Sequence, residues 1–144
     1  MSTQKEIDDR LVVLMEKWQK YEDDTIKMTT DIVGKTKNKL IKQVMEIIRQ
    51  DSAQHRRVQQ FIIDSLTKEA LQLQPEELAD IWDMIEKHIE MEEETVRLAE
   101  EARKDTRLLA QKYFINYLLT DERKHVEMLD RLNDIKKGMY PYSS

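Results

Sequence analysis

Apolar side chains return along this chain every three or four residues, with charged residues filling the gaps. That period puts side chains on one face of an α-helix. Four such stretches can be drawn. Helix A runs from about Lys5 to Val33, with Leu11, Met15, Trp18, Thr25, Thr29 and Ile32 on one stripe. Helix B starts near Thr36 and uses Ile41, Val44, Ile48, His55, Val58 and Ile62. Helix C starts near Pro75 and uses Ile81, Met84, His88, Met91, Thr95, Leu98 and Ala102. Helix D starts near Asp105 and uses Leu108, Gln111, Phe114, Leu118, Glu122, His125, Leu129 and Leu132. Gly34 interrupts the first stretch, Pro75 suits a first helical turn, and Gly138 ends the last stretch before Tyr140-Pro141-Tyr142. Four long helices with narrow stripes predict an all-α fold, a four-helix bundle.

The pattern repeats. A shift of 70 residues, from His55 to His125, aligns the two halves without a gap. Glu16-Lys17 falls on Glu86-Lys87, Glu22 on Glu92, and Thr25-Ile26-Lys27 on Thr95-Val96-Arg97. Thr36 falls on Thr106, Asp51 on Asp121 and Asp64 on Asp134. Both turns and both histidines stay in register. The chain therefore reads as one domain, 1–144, made of two homologous hairpins over about 5–70 and 75–138.

Composition narrows the function classes. With only two Gly and two Pro and 37% charged residues, the chain suits long amphipathic helices. It has no Cys, which excludes disulfides, iron–sulfur clusters and thiolate zinc. A net charge of -5 argues against nucleic acid as a partner. No apolar run approaches the roughly 20 residues a membrane helix needs. The N-terminal residues lead into charge, not an apolar signal core. The expectation is a soluble, cytoplasmic protein with no membrane partner.

The candidate chemistry is Glu122-Arg123-Lys124-His125 on helix D. A Glu and a His three apart on a helix share a face and can ligate one metal ion. Glu92 lies on the stripe of helix C, and a carboxylate on an apolar seam is costly unless paired or bound to a cation. Glu92 and Glu122 are roughly equidistant from the turn near Lys104, so a hairpin can bring them level. Hard oxygen donors with one imidazole suit iron or manganese, with zinc also open. His88, four before Glu92, could supply one more donor. The plainer reading of each residue is structural: a solvated Glu-x-x-His pair, a hydrogen-bonded seam histidine, a buried carboxylate paired with a cation. Trp18, Tyr113, Phe114 and Tyr117 read as core, and the Met residues as gap-fillers. Three histidines are too few for a site built mainly of imidazoles.

The run Glu90-Met91-Glu92-Glu93-Glu94-Thr95-Val96-Arg97-Leu98-Ala99-Glu100-Glu101, followed by Asp121-Glu122-Arg123-Lys124-His125, resembles the ferritin-like superfamily, and within it the rubrerythrin type. The similarity covers helices C and D directly and A and B through the repeat. It implies a bundle in which each hairpin gives a Glu and a Glu-x-x-His to a di-iron centre. Glu92, Glu122 and His125 would be ligands, with Glu22 and His55 their counterparts. The chain departs from this pattern at Ser52, which stands where the first Glu-x-x-His needs its Glu. One ion, two ions or none are all compatible with that loss. Two functions follow as expectations. One is iron handling, or oxygen- or peroxide-linked redox, at a carboxylate–His site. The other is a degenerate bundle that serves as an interaction or scaffold protein.

Connectivity stays open. In a ferritin-like bundle the B–C link crosses the bundle's length, whereas Leu66 to Pro75 spans only about 30 Å fully extended. Helix B could end early with a taut link, the bundle could be up-down-up-down, or two chains could exchange hairpins as a homodimer.

Overall fold

A computed structural model describes residues 1–71 and 73–137, so Gly138 and the tyrosine-containing tail lie outside the described residues. Among the described residues the fold is all-α, with four long helices: α1 (Gln4–Lys35), α2 (Lys39–Thr67), α3 (Pro75–Asp105) and α4 (Leu109–Lys136). α1 packs on α2, and α3 on α4. The chain divides after Leu71 into two compact units, each one hairpin. The repeat is visible in the backbone. α1 ends at Lys35 and α3 at Asp105, while α2 begins at Lys39 and α4 at Leu109.

Two boundaries move from their expected places. Helices B and D begin at Lys39 and Leu109, not near Thr36 and Asp105, because Thr36 and Thr106 adopt extended backbone after the preceding helix. Thr36 donates its backbone N–H to Ile32 O, and Thr106 donates to Ala102 O, both at 3.1 Å. Asn38 then caps α2, its Oδ1 accepting from Leu40 N at 2.9 Å and Ile41 N at 3.1 Å. Gly34 does not break α1; it lies in the last turn, and Thr36 ends the helix.

In the first hairpin the contacts Gln19–Gln60, Glu22–Gln59 and Asp23–Arg56 descend in step, as antiparallel helices require. Its interior holds Met15 and Ile63, but also Gln19, Glu22, Thr29, Ser52 and Gln59. Buried polar groups need partners. Gln19 Nε2 donates to Arg56 O at 3.2 Å and Gln60 Oε1 at 3.1 Å. Thr29 Oγ1 donates back to Thr25 O at 2.8 Å. The stripe drawn from sequence is thus rotated. The residues that face α2 follow Met15, Gln19, Glu22 and Thr29, and Trp18, expected in the core, is 52% exposed.

In the second hairpin Leu78 and Leu119 are buried. Lys136 Nζ sits 4.7 Å from the Trp82 ring centre, a cation–π contact between the helix ends far from the turn. Tyr113 meets Phe114 edge-on at 5.5 Å, yet Tyr113 is also largely exposed, against the expectation of a core role.

α2 extends to Thr67, so helix B does not end early. The link to Pro75 reaches about 25 Å at most, against about 45 Å for helices of this length. Among the described residues, no helix is long and apolar enough to cross a membrane.

Candidate metal centre

Equal arms bring the candidate ligands together. Glu92 lies as far before the end of α3 at Asp105 as Glu122 lies after the start of α4 at Leu109. Antiparallel packing therefore sets them at one level, and His125 follows one turn on. One donor atom each from Glu92, Glu122 and His125 lie within 4.8 Å of one another. His125 Nδ1 is 3.6 Å from Glu92 Oε2, beyond a good hydrogen bond. Glu92 Oε2 is buried and, with the carboxyl ionised, has no hydrogen-bond partner. The Glu92 side chain as a whole is only 12% exposed. Oxygen and imidazole donors bind metals at roughly 2 Å, so three donors spaced this way can converge on one cation. The orphaned oxygen is the atom such a cation would satisfy.

The two carboxylates repel when both are ionised and hydrogen-bond only when a proton lies between them. A hydrogen bond to Glu122, open to Glu92 only in its protonated form, raises the Glu92 carboxyl above the usual carboxylate range, and burial and the Glu122 charge push the same way. His125 and His88 pull it back. The Glu122 carboxyl is held below its ordinary value, first by the hydrogen bond from Glu92 and then by the one from Thr95. Thr95 Oγ1 is 2.6 Å from Glu122 Oε2 and 2.7 Å from its own helix's Glu92 O.

His88 flanks the group. Its Nε2 is 3.0 Å from Glu92 Oε1, one turn earlier on α3. It steadies a candidate ligand and is not one of the three converging donors. Asp121 Oδ2 is 3.8 Å from His125 Nε2, and its other oxygen pairs with Lys124 at 2.9 Å.

The first hairpin repeats the pairing without the ligand set. Glu22 is 6% exposed, and His55 Nδ1 lies 3.3 Å from its Oε2. This matches His125 and Glu92 position for position. Ser52, the counterpart of Glu122, is buried and brings no charge. Gln59 replaces the Leu129 of the other hairpin and donates Nε2 to Glu22 Oε2 at 3.1 Å. An amide and an imidazole thus occupy Glu22, and among the described residues no group of three donors forms here.

Of the six residues picked from sequence, Glu92, Glu122 and His125 converge, His88 adjoins them, and Glu22 and His55 pair in the other hairpin. Sequence reasoning missed Thr95, Gln59 and Gln19 as polar partners. Thr95 had a signal, since Thr25 and Thr95 align beside the two glutamates. Gln59 stands four after His55 and seven after Ser52, a polar residue at an interior spacing. Comparison with protein-family models, curated proteins and solved structures gives no match to this chain.

Proposed function

We propose that this chain is a ferritin-like metal-binding protein whose Glu92–Glu122–His125 group holds iron, or alternatively manganese or zinc, for iron handling or oxygen- or peroxide-linked redox chemistry. One observation carries the reading: three convergent donors around a buried carboxylate oxygen that has no hydrogen-bond partner. Two carboxylates and one imidazole match the hard and borderline donors such ions prefer.

Glu92, Glu122 and His125 would hold the ion, which supplies Lewis-acid and redox capacity when bound. The protein's own part is positional. Thr95 holds the Glu122 carboxylate from α3, and His88 holds the second oxygen of Glu92. Such outer partners fix ligand orientation. The His125 side chain is 40% exposed, so the group is not sealed from solvent at that ligand. Glu22 and His55 are the matching pair in the first hairpin, with Ser52 in place of the third ligand. The chain's acidity suits a cytoplasmic protein without a nucleic-acid partner.

The test is metal analysis of protein purified without chelator. Near-stoichiometric iron or manganese, lost in Glu122→Ala, is the expected result. Protein that is metal-free and takes up no added Fe(II) sinks the reading. A second reading, a non-catalytic interaction or scaffold bundle, is favoured by the first hairpin, where Ser52 and Gln59 have replaced metal chemistry with hydrogen bonding. It predicts that Glu122→Ala leaves every property of the protein except stability unchanged.

A further inference from the structure

The face of the second hairpin that carries Glu92 and His125 is bordered by two apolar rows. On α3, Ile81, Met84, Met91 and Leu98 follow steps of three, seven and seven, and all are exposed. On α4, Leu118 and Met128 flank His125 at seven before and three after, and both are exposed. His88 and His125 belong to these two rows, and both imidazoles approach Glu92. The rows therefore border one face. A period of three and four sustained on neighbouring helices is the seam that packs against further helices.

The same face holds half of a familiar ligand set. Paired carboxylate-bridged ions in helical bundles take a Glu from each of two helices and a Glu-x-x-His from each of two others. This hairpin supplies one Glu and one Glu-x-x-His. The first hairpin cannot supply the rest, because Ser52 stands in for the needed Glu and Gln59 already occupies Glu22. A two-fold axis, by contrast, doubles whatever it acts on. Two copies of this face give two Glu92, two Glu122 and two His125, which is the full set.

We infer that a second copy of this chain seats its α3–α4 hairpin on this one's α3–α4 face, so that a two-ion centre is completed across the dimer axis. The inference rests on the metal-binding reading above and adds its partner. Four carboxylates gathered at one axis repel unless cations neutralise them, so metal and dimer stabilise each other by linkage.

The test uses the full chain and Mn(II) alone, with mass from light scattering and the spin signal from electron paramagnetic resonance. The expected result is a dimer with two ions and an exchange-coupled manganese pair. A co-expressed heterodimer of tagged Glu92→Ala/Glu122→Ala/His125→Ala chain with unaltered chain should bind Mn(II) at least about tenfold more weakly than the unaltered dimer. Leu98→Glu, which touches no ligand, should weaken dimerisation by at least about tenfold while circular dichroism keeps its helical signal. A loaded monomer with an isolated six-line signal overturns the inference and leaves the metal reading standing. So does a heterodimer that keeps one tightly held ion on its unaltered chain. A protein that takes up no metal overturns both.

Discussion

The two hairpins share a three-residue turn and a carboxylate–imidazole pair, and they differ in what surrounds that pair. In the second, Glu92 meets a second carboxylate and one of its oxygens is left without a hydrogen-bond partner. In the first, Glu22 meets an amide and an imidazole, those of Gln59 and His55. The difference teaches how little separates a ligand cluster from a polar core. Two positions, Ser52 against Glu122 and Gln59 against Leu129, decide whether a buried carboxylate calls for a cation or for a hydrogen bond.

The largest effect expected is on metal binding. Glu122→Ala removes one of three donors and should lower metal affinity by at least about a hundredfold, given that losing even an outer partner costs 10–100-fold. Isothermal titration with Mn(II) reads this directly, and an unchanged affinity would place the ion elsewhere. The mirror experiment is Ser52→Glu with Gln59→Leu, which gives the first hairpin the second's residues. Metal per chain should rise, read by elemental analysis; no gain would mean the hairpins differ by more than these side chains.

Next in size is packing. Leu119 is the most deeply buried side chain, at 2% exposure, and its counterpart in the first hairpin is Arg49, which is not buried. Leu119→Ala should cost roughly 2–5 kcal/mol in denaturant unfolding, whereas Arg49→Ala should fall within about 0.5 kcal/mol of neutral.

A subtler difference lies in pH dependence of the metal-free protein. Glu92 is raised in the folded state, so its contribution to stability is full below the ordinary carboxylate range and is lost as pH rises through its raised value. Glu122 is lowered, so its contribution is present above the ordinary range and is lost as pH falls through its lowered value. Glu92→Gln should abolish the first of these losses, seen as a flatter curve of unfolding free energy against pH just above the ordinary carboxylate range. The smallest effects belong to the exposed cross-helix ion pairs peculiar to each hairpin, Arg56–Asp23 at 2.7 Å and Arg123–Glu100 at 2.9 Å. Asp23→Ala or Glu100→Ala should each cost about 0.2–1 kcal/mol, diminishing with salt.

Helix number, hairpin pairing and the repeat could be read from sequence because each rests on a period carried by dozens of residues. Glu92 and Glu122 could be paired because two helices of equal arm length leave little choice of level. Other features depend on rotation about the helix axis, which a stripe of mixed polarity does not define well. Trp18, large and apolar, is expected inward, yet Gln19, one position on, takes the interior. The interior of the first hairpin is polar, so a search for apolar stripes finds the outer seam instead. The hydrogen bonds of Gln59 and Thr95 were hidden for the same reason, since nothing in a polar side chain announces which of its neighbours it will meet.

The matched arms make the helix length from Glu92 to the end of α3, and from the start of α4 to Glu122, a fixed dimension. Deleting one residue from either helix there would lower its ligand by about 1.5 Å and swing it through about 100°. Removal of seven residues from each arm, about two turns, would return both ligands close to their present facing. The turn itself, Thr106 to Leu108, joins the arms without setting their phase inside either helix. Variation in length should therefore accumulate at the turn and at the far helix ends, while the arms tolerate substitution but not insertion.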